Sequence, residues 1–342
     1  MVRGAVRWLV TIVLSAILVV GVAWGALALW FDGPASAIAA GTLAVGMTLV
    51  SLLLASLVRP FVRGLVVALL PVIVVALWWI SMSPSNARNW SPEVARTAHA
   101  TFADNRVTIA NVRNFNYRSE SDFDQRWETR TYDLNGIRGV DLFLSFWGPT
   151  QIAHTIASWE FADGQHLAIS IETRKEKGES YSALRGFFHQ YELYYVVADE
   201  RDLVGLRTNY RGERVFLYRI RLPASQARAL LVDYLKQINR LAEHPLWYNA
   251  LTQNCTTTIR SHAQNVGAGG GLDWRLLANG HVDQLLYERG QIDTELPFAE
   301  LRARSNITAK ANLAGNSPDF STRVREGLPG SHDATRNKDQ TP

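Results

Sequence analysis

Residues 153–174 read AHTIASWEFADGQHLAISIETR. Two runs rich in alternating apolar and β-branched residues flank Asp163-Gly164, a dipeptide suited to tight hairpin turns. The stretch predicts an antiparallel hairpin. A two-residue loop would set His154 opposite Thr173 and turn Glu172 to the other face, unless a bulge intervenes. Strand patterns flank it on both sides, at 106–119 and 139–149 before it and at 191–200 and 214–222 after it. From Ser225, a candidate cap, the periodicity becomes helical, with Leu230, Leu231, Tyr234, Leu235, Ile238 and Leu241 on one face. A second helix is expected around Cys255 and a third, shorter one over 281–290. Strands followed by helices predict an α+β domain on an antiparallel sheet.

The chain has 342 residues, 47% of them hydrophobic, and the apolar residues crowd into the first eighty or so. Three runs, Trp8–Phe31, Ile38–Val58 and Leu65–Ile80, are expected to cross a membrane as helices; Pro71 is tolerated in such a helix. A cleaved signal peptide is the competing reading, with Ala35-Ser36-Ala37 as its cleavage site. The first run is too long for that, and two more follow. Arg3 and Arg7 precede the first span and Arg59 and Arg63 join the second to the third, whereas the loop between the first and second has no basic residue. The positive-inside rule then places the N-terminus in the cytoplasm and everything after Ser81 outside, in the periplasm of a bacterial inner membrane. Trp30, Trp78 and Trp79 fall at the outer ends of the spans. The expected organisation is three transmembrane helices over 1–83, a linker over 84–103, a periplasmic catalytic domain over 104–305, and a mostly irregular tail over 306–342 ending in a disordered SHDATRNKDQTP. The net charge is +4 and most of it sits beside the spans, so no nucleic-acid partner is expected.

Cys255 is the only cysteine. Outside the cytoplasm it has no intramolecular partner, so it is either a small buried hydrophobe or a nucleophile. Asn254 before it is a strong N-cap type, which puts the thiol at a helix N-terminus. There free N–H groups and the helix dipole favour thiolate and can stabilise an oxyanion. A thiolate nucleophile calls for a histidine base. His262, two turns further on, is about 10.5 Å away along the axis and reads as a surface or packing residue. His154, opening the first hairpin strand, is the candidate base, against the plainer reading of a satisfied strand histidine.

Histidine on an early strand and cysteine on a later helix N-terminus resemble the circularly permuted papain-like arrangement of lecithin:retinol acyltransferase-like and permuted NlpC-like hydrolases. Five segments carry a closer resemblance: NVRNFNYRS, WGPTQIAHTIASWEFADGQHLAISIETRKEKGESYS, YELYYVVADERDLVGLRTNYR, PLWYNALTQNCTTTI and LPFAELR. They resemble the bacterial membrane-protein family that includes the lipoprotein intramolecular transacylase Lnb. The resemblance implies a Cys255/His154 dyad outside the membrane, acting on acyl esters of a membrane lipid or lipoprotein through a thioester. A cell-wall amidase or peptidase on the same dyad, and a non-catalytic membrane-anchored binding module, are the alternatives. A third group should orient the imidazole. His166, Ser170, Glu172 and Thr173 are candidates, and Glu172 is preferred for its chemistry, although the simple register opposes it.

Tyr248 and Asn254 are the candidate substrate-binding residues, with Trp247 beside Tyr248; helix packing is the plainer role for the two aromatics. Arg113 and Arg174 are candidates for an anionic headgroup, against solvated strand-edge arginines. No cofactor is expected. Neither is a metal, since no His/Asp/Glu spacing matches a known site and one cysteine cannot build a thiolate cluster.

Overall fold

The computed structural model describes residues 2–330 except Leu251, Asn254, Gly269, Leu272 and Leu277. The chain divides into two compact units: Met1–Ser85 with Tyr181–Glu192 and Trp247–Ala250, and the remainder.

The first unit holds α1 (Val2–Asp32), α2 (Ala37–Leu57), α3 (Phe61–Val67) and α4 (Leu70–Ser81). Three stretches, Gly4–Asp32, Ala37–Leu57 and Phe61–Ser81, are long and apolar enough to cross a membrane. Most large apolar side chains on them face outward, such as Val20, Leu53 and Leu77, as surfaces meant for lipid do. Small residues let the helices approach: Gly64 lies so close to the Ala55 and Val58 carbonyls that a Cβ there would be 2.8 Å from both oxygens. At one end Asp32 accepts from Trp79 Nε1 at 2.7 Å. The His189 ring is stacked between Trp79 and Trp247, with centroid distances of 3.6 and 4.6 Å.

The second unit is a sheet flanked by helices. Its strands are β1 (His99–Ala103), β2 (Arg106–Arg113), β5 (Trp127–Asp133), β6 (Ile137–Phe146), β7 (His154–Phe161), β8 (His166–Arg174), β9 (Glu192–Ala198) and β10 (Arg214–Ile220). They run in the order β1-β2-β9-β8-β7-β6-β10, with β5 on β2. A small ribbon pairs β3 (Asn116–Tyr117) with β4 (Phe123–Asp124). The helices are α5 (Glu200–Gly205), α6 (Ala224–Glu243), α7 (Cys255–Asn265), α8 (Val282–Glu288), α9 (Phe298–Arg304), α10 (Thr308–Ala314) and α11 (Phe320–Arg325). This is the expected α+β class.

Alternation along the strands sorts the core into two layers. Phe143, Ile156, Ala168 and Val215 pack on one face against Leu203, Ile307 and Phe320. Leu142, Leu144, Phe216 and Tyr218 pack on the other against Val282 and Leu301.

Several expectations change. The β7–β8 loop has three residues, Ala162, Asp163 and Gly164, not two. The Phe161 amide donates to the Gln165 carbonyl and the Gly164 amide donates back to the Phe161 carbonyl, both at 3.0 Å. Gly164 takes φ +83°, the left-handed conformation that closes a three-residue hairpin with a bulge. That single added residue moves the register, so that Ile156 faces Ser170. Glu172, not Thr173, therefore shares the face of His154.

Helix α6 starts at Ala224 after Pro223, so Ser225 is not its cap. His99–Ala103, expected in a linker, is an edge strand on β2. Residues 306–330, expected to be mostly irregular, carry α10 and α11, whose Ala311, Phe320 and Val324 fill the core; the SHDATRNKDQTP end lies outside the described residues. Arg113 and Arg174 are structural rather than solvated or held for a headgroup. Arg113 is buried and paired with Asp202 at 2.8 Å. Arg174 donates to the Val94 and Ala95 carbonyls and lies over the Trp90 ring.

Candidate active site

His154 opens β7 on the Ile156 face, its side chain 13% exposed. Its Nε2 lies 2.5 Å from Ser170 Oγ and 3.5 Å from Glu172 Oε1. The Ser170 hydroxyl donates to Glu172 Oε1 at 2.9 Å. Having spent its one proton, Ser170 can only accept from the ring. The imidazole therefore donates at Nε2 and carries its lone pair on Nδ1. Nδ1 makes no hydrogen bond among the described residues, which leaves it available as a base.

Glu172 is fixed from behind. Arg207 Nη2 donates to Oε1 at 2.9 Å, and Arg207 Nη1 reaches Glu213 at 3.3 Å. Glu213 in turn accepts from Ser145 Oγ at 2.5 Å. Arg207 is buried and sits on a single π-helical turn, Leu206–Tyr210, a local distortion common at functional sites. Burial alone would raise the Glu172 carboxyl. The hydrogen bond to His154 and the Arg207 cation outweigh that and hold it well below the usual carboxylate range. Burial, then the Arg207 cation, lower the His154 pKa, partly countered by Glu172. The ring is thereby kept neutral at neutral pH, as a general base must be.

Cys255 is the first residue of α7, half-buried and free of disulfide. Its Sγ is 3.8 Å from Thr256 Oγ1 and 3.8 Å from Asn279 Nδ2. The body of α7 packs on the sheet face opposite the His154 side chain, where His262 meets Tyr195 at 2.7 Å and Asp233 at 2.6 Å. His262 is thus a packing residue rather than a surface one. The first turn of α7 meets the end of β7 through Asn279. The Asn279 amide accepts from the Ala153 N–H at 2.8 Å and donates to the Ala153 carbonyl at 2.6 Å and to Thr256 Oγ1 at 2.8 Å. One buried side chain thereby joins the residue before His154 to the residue after Cys255. Among the described residues no hydrogen bond links the thiol to the imidazole.

The remaining sequence candidates separate. His166 is at the far end of β8, its Nδ1 beside the Gly164 carbonyl. Tyr248 belongs to the first unit, buried with its amide donating to the Tyr191 carbonyl at 2.9 Å. Asn254 lies outside the described residues. Among the described residues no group of His, Cys, Asp or Glu side chains is placed to hold a metal ion.

Asn279 and Arg207 went unnoticed in the sequence. Asn279 follows a glycine-rich stretch that reads as loop, and Arg207 falls in a segment without helical or strand periodicity. Asn279→Ala is expected to leave the Ala153 peptide and the Thr256 hydroxyl without partners, at a cost on the order of 1–3 kcal/mol for each buried group left unsatisfied. Denaturant unfolding of the full chain measures it; an unchanged midpoint would mean that the clamp contributes nothing.

Residues 123–280 match the family model described as the Lnb N-terminal periplasmic domain. No curated protein and no solved structure matches the chain. The matched stretch contains His154, Glu172, Arg207, Cys255 and Asn279, and excludes the three apolar helices. The chain therefore joins three helices suited to a membrane to a stretch that matches the model of the Lnb N-terminal periplasmic domain.

Proposed function

We propose that the chain is a membrane-anchored thiol acyltransferase or hydrolase acting on acyl esters of lipids or lipoproteins outside the cytoplasmic membrane. The observation that carries this reading is the chain of contacts His154–Ser170–Glu172–Arg207. It fixes one ring nitrogen and leaves the other without a hydrogen bond among the described residues, in a chain whose only thiol opens α7. The Lnb-type match adds lipoprotein processing as the context. Arg3, Arg7, Arg59 and Arg63 support a cytoplasmic N-terminus.

In the first half-reaction Nδ1 of His154 takes the Cys255 proton and the sulfur attacks the ester carbonyl. The C–S bond forms, the C–O bond breaks, and the imidazolium returns its proton to the departing alkoxide. In the second, an amine or water loses a proton to the imidazole and attacks the thioester, and the thiol is restored. The thiol and ring close on each other when the ester is bound, as catalytic hydrogen bonds commonly do. The free N–H groups of the α7 first turn face the developing oxyanion.

The test is capture of the intermediate. Full-length protein incubated with a diacylglyceryl lipopeptide should gain the mass of one acyl group on the Cys255 peptide, removable by neutral hydroxylamine. Absence of any such adduct under turnover, with product still forming, would refute a thioester route.

A further inference from the structure

An apolar cavity of about 160 Å³ lies on the α7 face of the sheet, beneath α6, α7 and α8. Leu142, Ile220, Leu230, Ile259, Leu285 and Leu286 line it. Thr155, which follows His154 on β7 with its side chain on the opposite face of the sheet, and Thr256, which follows Cys255, both line it. A volume of this order is what a dry, apolar cavity offers to a ring-sized hydrocarbon, by comparison with the roughly 150 Å³ of a known benzene-binding cavity in another protein. It suits a short stretch of alkyl chain.

Two buried polar atoms on its wall lack partners, and the Tyr234 hydroxyl lies beside them. Thr155 Oγ1 is buried with no hydrogen bond, and Thr155 itself is only 3% exposed. Arg260 Nε is also buried with no hydrogen bond, and Arg260 makes no ion pair among the described residues. Tyr234, only 1% exposed, also lines the cavity. Burial, and after it the charge of a thiolate at Cys255 and of Asp233, raise the Tyr234 phenol. The hydroxyl therefore stays protonated and lies within electrostatic reach of the sulfur. Buried groups without partners in a native fold call for an explanation. All three have a proton to donate, which suits a ligand that brings hydrogen-bond acceptors and no donors. An ester does; a peptide bond brings an N–H as well. Apolar walls with a few convergent polar groups are also the usual make-up of a ligand site.

We infer that this cavity binds the proximal part of a long-chain acyl ester, its methylenes along Ile259, Leu285 and Leu286 and its carbonyl end among Thr155, Tyr234 and Arg260. The inference deepens the acyl-transfer reading and rests on it for the fate of the bound chain, but occupancy can be measured without turnover.

The probe is the methyl ester of palmitate carrying a diazirine a few methylenes from its carbonyl, irradiated with the full-length protein and with Cys255→Ala. In both, saturable labelling is expected on peptides covering 255–268 and 282–291, abolished by excess methyl palmitate. Ala263→Phe, which fills the cavity from α7, should lower that labelling at least tenfold. Thr155→Val, which keeps the shape and removes the hydroxyl, should lower it several-fold. Circular dichroism and the unfolding midpoint confirm that each variant folds. Labelling confined to residues 4–81, or undiminished in both variants, would overturn the inference. Cavity labelling in a protein that forms no thioester would instead sink the catalytic reading and leave the cavity site standing.

Discussion

Cys255→Ala is expected to leave lipoprotein substrates at their starting mass, with the rate lowered on the order of 10⁴–10⁶-fold, as when a covalent nucleophile is removed from a coupled site. The size of the effect follows from what remains. No second thiol exists in the chain. Ser170, the nearest hydroxyl to the base, is held between His154 and Glu172. Thr256 Oγ1 is engaged by Asn279. Neither can take over the attack without breaking the framework that positions the base. Cys255→Ser keeps the shape but offers an alcohol far less acidic than a thiol, so it should recover little. The measurement is the intact mass of the N-terminal lipopeptide of a reporter lipoprotein produced with wild type or variant. A variant that converts the reporter at the wild-type rate would remove Cys255 from the mechanism, and the acyl-transfer reading with it.

Much of the architecture follows from sequence pattern, and the failures share a cause. The three apolar runs needed only length and hydropathy. The hairpin over 153–174 needed alternation and Asp163-Gly164. Its register did not follow, because that depends on whether Ala162 belongs to the strand or the loop. Alternation is blind to that difference, and Ala suits either place. The consequence is large: one extra loop residue brings Glu172 onto the face of His154. Chemistry pointed to Glu172 while register geometry pointed away, and the bulged turn reconciles them. Asn279 was invisible for another reason. Its role lies in three hydrogen bonds to residues 126 and 23 positions away, and nothing local marks an asparagine that clamps. Residues 306–330 misled because α10 and α11 are short and their buried faces rest on few residues, too few to register as a period.

Glu172→Gln and Arg207→Met are expected to move the acidic limb of the pH–rate profile in opposite directions. Both changes act through His154, whose pKa is lowered from the ordinary imidazole value because burial and the Arg207 cation disfavour its protonated form while Glu172 partly restores it. The base works when neutral, so wild-type activity should hold to a more acidic pH than an ordinary imidazole allows and then fall as the ring is protonated. Removing the Glu172 charge takes away a stabiliser of imidazolium, so the limb moves further down. Turnover should also fall on the order of 10²–10⁴-fold, since the ring loses the partner that fixes its tautomer. Removing the Arg207 charge relieves repulsion on the imidazolium, so the limb moves up and the loss is greatest at acidic pH. Arg207→Lys keeps the charge and should restore the limb near its wild-type position. This also controls for folding, because Arg207→Met leaves Glu172 and the buried Glu213 without their shared cation, a change that costs several kcal/mol for a buried pair. The profiles are read from release of lipopeptide product between pH 5 and 8. Limbs that do not move, or that move together, would mean that His154 does not set the pH dependence. Glu172 and Arg207 would then be structural, and the free Nδ1 would not be the base.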